Sequence, residues 1–256
     1  FTGNSPWIKK FYEKNNNTKI VNYPHTTNIF NVNKYKLKLS KVKLKRNFTL
    51  LSSKRDLSHF SEKFQNTNFH ISGYPKYDLS WLTKISKIYN IKKNYSNKNI
   101  FIAFKGFENF KYSKSKYVEQ VKSLFEIAKK NNYKLIFKFH PNAQEEPVFL
   151  NIANRYPKDI WRITNKHLHI CSQISKVFIS FYSNAAVLDS LASEKVPLEL
   201  WDISKNKKLL SNYSKLNLCI QAKNKNDLED KIEKIIKNKD EYIKKKKPIK
   251  NFIKIT

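Results

Sequence analysis

A histidine at the end of an apolar run and a serine-asparagine pair opening a small-residue helix are the places in this chain where charge can be bound or moved. In Phe137–Asn142 (FKFHPN), His140 closes a strand pattern and the next residue is proline, so the imidazole can project into a crevice; a structural histidine is the alternative. In Ile179–Ala186 (ISFYSNAA), Ser183 and Asn184 stand where a strand passes into a helix. The unpaired N–H groups and partial positive charge of a helix start bind anions, although an ordinary cap uses the same residues without a ligand. A third segment, Ser72–Asp78 (SGYPKYD), is a tight turn built on Gly73 and Pro75 and marks a domain junction.

These residues work together only if a fold brings them together. From the middle of the chain onward, apolar strand runs alternate with amphipathic helices, the pattern of βαβ units on a parallel sheet. Strands are expected at Asn99–Lys105, Tyr133–Phe139, Ile160–Thr164, Lys176–Ser180, Val196–Trp201 and Leu216–Ala222. Helices are expected at Ser113–Asn132, with Tyr117, Val121, Leu124, Phe125 and Ala128 on one face, at Val148–Tyr156, from about His167 to Ile174, and at Asn184–Glu194. A last helix from Asn226 buries Leu228, Ile232, Ile235, Ile236 and Ile243.

Residues 1–92 hold strands at Lys19–Tyr23, Phe48–Ser52 and Asn68–Ser72 and helices at Asp56–Phe64 and Leu79–Tyr89, about half of a doubly wound domain. The expected organisation is a partial N-terminal Rossmann-like domain over 1–92, a linker over 93–98, a complete Rossmann-like domain over 99–243 and a basic tail over 244–256. The chain starts at Phe1 and contains no methionine. It is therefore expected to be processed, trimmed or part of something longer, the missing portion belonging to the first domain.

The 256 residues carry 51 Lys+Arg against 20 Asp+Glu, a net charge of +31. Such charge is the footprint of a polyanion binder, but only four of the basic residues are arginine (Arg46, Arg55, Arg155, Arg162), the residue suited to bidentate phosphate and guanine contacts. A Lys- and Asn-rich background is the simpler reading, and no specific nucleic-acid partner is expected. The exception is Asn33–Arg46, where basic and apolar residues alternate; its basic face is either merely solvated or set against an anionic membrane. No apolar run approaches the roughly 18–20 residues needed to cross a bilayer, so a cytoplasmic protein, with peripheral contact at the inner membrane face, is expected. Cys171 and Cys219 lie in apolar segments and read as buried free thiols. Walker and dinucleotide glycine fingerprints are absent from the sequence.

Taken in order, GYPKYD, KFHPN and ISFYSNAAVLDSLASEKVPLEL resemble the C-terminal half of the GT-B glycosyltransferase-like proteins of bacterial surface polysaccharide synthesis. That group includes capsule polysaccharide transferases, polysialyltransferases and the glycerophosphotransferases of teichoic acid synthesis. The resemblance covers roughly residues 18–220 and implies an α/β, GT-B-like fold, two Rossmann-like domains facing a cleft, the N-terminal one incomplete. It makes His140, Ser183 and Asn184 the cradle for the phosphate of a nucleotide-activated donor, with His140 also catalytic. It makes His25, in NYPHTTN, the candidate general base for the acceptor hydroxyl. Glu199, Asp189 and Asp202 are candidates for the donor ribose or base, or for the substrate, and equally for structural roles. Two departures stand out: Phe181 occupies a place where many relatives carry Asp, and Asn184 replaces a second serine.

The sequence contains no Asp-x-Asp pair, which disfavours a metal-bridged diphosphate; no metal site and no cofactor are expected. The implied activity is transfer of a sugar or polyol phosphate from a nucleotide-activated donor to a polysaccharide or lipid-linked acceptor. A nucleotide-sugar epimerase of the same fold, and a non-catalytic Lys-rich binder of polyanions or membrane surfaces, are the alternatives.

Overall fold

The computed structural model describes residues 21–22, 48–51, 68–73, 75–91, 98–104, 113–140, 146–181, 184–202 and 211–238. The expected helix Asp56–Phe64, the basic stretch Asn33–Arg46, residues 93–97 of the linker and the tail 244–256 lie outside them. The chain divides into two compact units, Phe1–Asp78 and Leu79–Thr256. The division falls at the end of the SGYPKYD turn. The helix Leu79–Ile88, which the pattern places with the first 92 residues, thus belongs to the second unit.

In the first unit, strands β1 (Val21–Asn22), β2 (Phe48–Leu51) and β3 (Phe69–Ile71) form a parallel sheet in that order. Gly73 follows with a φ of +74°. A Cβ there would meet no atom within 4 Å, so it is the left-handed backbone of the turn that favours glycine here.

The second unit opens with α1 (Leu79–Ile88), which buries Leu82 and Ile85. Strand β4 (Asn99–Ala103) is followed by α2 (Lys114–Asn131). The bounds of α2 are set by capping. The Ser113 hydroxyl accepts from Lys116 N–H at the start, and Asn132 takes a left-handed conformation at the end, its N–H donating to the Ala128 carbonyl, as helix caps require. Then come β5 (Lys134–Lys138), α3 (Glu146–Ala153), a single 3-10 turn at Lys158–Ile160 and β6 (Trp161–Ile163). The rest of the unit is α4 (Leu168–Gln173), β7 (Val177–Ser180), α5 (Ala186–Ala192), β8 (Pro197–Glu199), α6 (Asn212–Lys215), β9 (Ile220–Gln221) and α7 (Lys225–Lys237). The strand expected from Leu216 begins only at Ile220, because α6 and a left-handed turn at Asn217 (φ 55°) take up the preceding residues.

All six strands run parallel in the order β6-β5-β4-β7-β8-β9. Both faces are covered, so the strands alternate between two apolar environments instead of between core and water. Ile100, Ile102, Leu135, Phe137, Val177 and Ile179 join the larger core with α2, α3 and α7. Phe101, Ala103, Ile136 and Phe178 join a smaller one with Cys171 of α4 and Ala186 of α5. Both cysteines are buried and free.

Candidate functional site

Numbering the strands of the second unit in chain order, β4 is first and β9 sixth, and the spatial order reads 3-2-1-4-5-6. The first three strands step outward one way and the last three the other, so the connections diverge between β4 and β7. In an open parallel sheet, ligands bind in the crevice that this divergence leaves beyond the carboxyl ends of the strands.

Three aromatic rings mark that place. Phe104 follows β4 and stacks on Phe139, which follows β5, with centroids 4.4 Å apart, and on Phe181, which follows β7, at 4.5 Å. Phe104 and Phe181 are buried. They form a rigid apolar base, and the next residues in the chain are the polar ones: His140 after Phe139, and Tyr182, Ser183 and Asn184 after Phe181. His140 is exposed.

Asn184 holds the crevice together. Its amide N–H donates to the Ala103 carbonyl at 3.2 Å, and its Oδ1 accepts from the Ala186 N–H at 3.0 Å at the start of α5. The same Ala103 carbonyl accepts from Phe181 N–H at 3.3 Å. One side chain therefore ties the end of β4 to the helix that follows β7. Replacing Asn184 with alanine removes both bonds and is expected to cost about 1–2 kcal/mol. Asn184→Asp, which keeps the cap but cannot donate to Ala103, should lose at least as much at neutral pH; denaturant midpoints of the two variants check this.

The structure thus brings His140 and Asn184 to the same edge of the sheet, flanking β4 from either side. Ser183 and His25 lie outside the described residues. Glu199 and Asp189 form a separate buried group. Glu199, the last residue of β8, is wholly buried and accepts from the Cys219 thiol at 3.6 Å. Asp189 is buried on α5. The nearby Tyr213 hydroxyl has its pKa raised, first by burial and then by the negative fields of Glu199, Cys219 and Asp189. Asp202, three residues beyond Glu199, is half-buried. Tyr213 carries no periodic or motif signal, so sequence reading passes over it.

His169 was equally silent in sequence. It is buried on α4 and bonds two hydroxyls, Ser86 of α1 through Nε2 at 3.0 Å and Ser193 after α5 through Nδ1 at 2.9 Å. Three helices are thereby pinned on one side of the sheet. Among the described residues no helix is long and apolar enough to cross a membrane.

No family model and no curated protein sequence matches the chain. Solved structures do. The wall teichoic acid polymerase TagF (H444N variant) superposes with a TM-score of 0.54 at 15% identity, over 81% of this chain and 52% of that one. The Methanocaldococcus jannaschii UDP-GlcNAc 2-epimerase, solved with UDP-GlcNAc and UDP, gives 0.51 at 12% identity over 75% and 55%. A Listeria monocytogenes protein assigned as a UDP-N-acetylglucosamine 2-epimerase gives 0.57 at 12% identity over 91% and 70%.

The chain has a GT-B fold. It spans about half the length of the polymerase and of the M. jannaschii epimerase. The six-stranded parallel sheet is its Rossmann-like part, and the crevice edge described above belongs to that part.

Proposed function

We propose that the second unit binds a nucleotide-activated sugar or polyol at the divergence between β4 and β7, and that the chain serves a transferase passing the activated group to a surface-polysaccharide acceptor. The observation that supports this reading is that His140 and Asn184 follow β5 and β7, the two strands that flank β4. They lie two strand spacings apart, about 10 Å, over a base of stacked aromatic rings. In this reading the donor's phosphates are held by the His140 imidazole on one side and by the Ser183 hydroxyl with helix-start N–H groups on the other, donors that can stabilise charge developing on a leaving nucleotide. Asn184 contributes by fixing the helix start, because its amide is committed to Ala103 and Ala186. In this reading His25 is the acceptor's general base, and Asp189 and Glu199, both buried, are structural. The phosphate charge is met by protein donors without a metal, in keeping with the absence of an Asp-x-Asp pair from the sequence. The acceptor is a polysaccharide or lipid-linked glycan reached at the inner face of the membrane.

Two of the structures with the same fold are described as UDP-GlcNAc 2-epimerases, and this favours a second reading in which the bound sugar is inverted instead of transferred. Calorimetric titration with CMP, CDP, UDP and GDP tests the shared part. At least one nucleotide is expected to bind, and His140→Ala combined with Ser183→Ala should weaken it at least tenfold, about 1.4 kcal/mol. Binding by none of the four, or an unchanged double variant, sinks the site. Product analysis with the corresponding nucleotide sugar then separates transfer from inversion.

A further inference from the structure

Apolar side chains left open to water are informative where they gather on one element. Among the described residues the large ones are Ile71, Leu79, Trp81, Ile88, Tyr89 and Leu216. Four of these six lie along α1 or on Tyr89, the residue after it, whose N–H still donates to the Ile85 carbonyl at 3.1 Å. Leu79 is 64% exposed, Trp81 46%, Ile88 76% and Tyr89 48%. The helix cannot turn to hide them. It is docked by Leu82 and Ile85, which are buried, and by the Ser86 hydroxyl, bonded to His169 at 3.0 Å.

Spacing sets what faces outward. Trp81, Lys84 and Ile88 follow one another by three and four residues and so share one side of the helix, and Lys87 precedes Ile88. Both lysines are exposed, and no Asp or Glu occurs between Asp78 and Glu108. Lysine alone would not single out any surface of a chain with net charge +31. The apolar side chains do, and the lysines then restrict the partner to one that carries negative charge. A folded protein would need an apolar patch ringed with acid groups to match this outline. An anionic lipid surface needs no such match, because indole, phenol and branched aliphatic groups settle at the headgroup level while flanking amines meet the lipid phosphates. The ten residues of α1 span about 15 Å, half of a hydrocarbon core. The helix can therefore lie in such a surface but not cross it.

We propose that α1 is a membrane-contact helix, placing Trp81, Ile88 and Tyr89 at the headgroup level of a bilayer that contains anionic lipid. The crevice residues take no part in it. Only the outward side of α1 enters, since Leu82 and Ile85 stay in the core. Insertion of one helix side binds weakly by itself, and the attraction of the lysines for anionic lipid supplies the second signal that stable peripheral binding needs. Both contributions are local. The apolar one depends on Ile88 and Tyr89, and the electrostatic one on Lys84 and Lys87, whose field falls off within roughly 8 Å at physiological salt. Lysines on α2, which packs on the other face of the sheet from α4 and α5, add little.

The test is cosedimentation of the whole chain with phosphatidylcholine vesicles, with and without phosphatidylglycerol. Binding is expected where phosphatidylglycerol is present, and it should weaken as salt rises. Ile88→Ser with Tyr89→Ser leaves the charge unchanged and should weaken binding at least about tenfold; both side chains are exposed, so the urea midpoint should not move. Lys84→Gln with Lys87→Gln should weaken binding by a similar factor. Lys122→Gln with Lys129→Gln, exposed on α2, removes the same charge elsewhere and should weaken it less than about twofold. Brominated lipid should quench tryptophan emission, and Trp81→Phe should remove most of that quenching. Nucleotide binding at the crevice should be the same in every variant, so the loss of either reading leaves the other standing. The proposal is overturned if the parent does not bind phosphatidylglycerol vesicles, or if the serine variant binds them like the parent. It is also overturned if the α2 pair weakens binding as much as the α1 pair, which would make adsorption a matter of total charge. Self-association of the parent that the serine variant abolishes, with no vesicle bound, overturns it too and makes α1 an interface between copies of this chain.

Discussion

Phe181→Asp is expected to lower the stability of the second unit by at least about 3–5 kcal/mol at neutral pH. Phe181 is only 2% exposed. It stacks on Phe104 at 4.5 Å and lies 5.6 Å from the Tyr117 ring. Aspartate there loses the ring's packing and also places a carboxylate among aromatic carbons. Such a carboxyl has its pKa raised by burial, so the sign of the pH effect is fixed: the charge-dependent part of the penalty is absent below the unfolded value near 4 and grows as pH rises above it, while the loss of ring packing remains at every pH. Phe181→Leu keeps an apolar side chain and should cost far less, about 1–1.5 kcal/mol. Guanidinium unfolding with an unchanged m-value reads both. An aspartate variant within 1 kcal/mol of the parent would show that the three-ring stack is not the base of the crevice.

The second large effect concerns His169. The Ser193 hydroxyl donates to the Asp189 carbonyl at 2.8 Å, and Ser86 to the Leu82 carbonyl at 2.9 Å. A neutral imidazole offers one N–H and one lone pair. With Nδ1 donating to Ser193, Nε2 must accept, and the Ser86 proton is shared between Nε2 and Leu82. Burial first, then the positive fields of His167 and Lys195, lower the His169 pKa to about 4. The unfolded chain binds this proton near pH 6.5 and the folded one does not until about pH 4. The stability contributed by neutral His169 is therefore complete above 6.5 and is lost as pH falls toward 4. Urea midpoints measured across that window should fall for the parent, and His169→Gln should flatten the part owed to this group. His169→Leu strips the imidazole from both serines and is expected to cost about 1–3 kcal/mol at pH 7. A parent and a glutamine variant with the same pH slope would assign the loss to the carboxylates instead.

Much of the second unit was legible because its local signals agree with its packing. Ser113 and Asn132 bound α2 to within a residue of the expected helix, since a hydroxyl cap and a left-handed asparagine are short-range features. The parallel sheet was legible for a similar reason: Ile100 through Ala103 are apolar on both faces, as a twice-covered strand must be. Strand order is a long-range property, however, and periodicity does not carry it. The crevice follows from that order, so His140 and Asn184 could be nominated singly but placed on either side of β4 only by the fold. Asn184 also shows how a motif position can hide its work, since its amide proves to be bonded to Ala103 and Ala186. Tyr213 and His169 were silent because their partners lie far away in sequence, on Glu199 and Asp189 in one case and on Ser86 and Ser193 in the other.

The strand order has a further consequence during synthesis. β4 is the first strand of its sheet to leave the ribosome and one of the two central ones, with β5 on one edge and β7 on the other. β5 emerges soon after, but the other edge of β4 stays bare until Val177–Ser180 is made. Through that interval a nascent chain displays Ile100, Phe101 and Ile102 on an unpaired strand, the feature that recruits other strands. Slowing translation between α2 and β7 should therefore favour aggregation of this protein, and a chaperone that shields extended apolar segments should be needed most in that window.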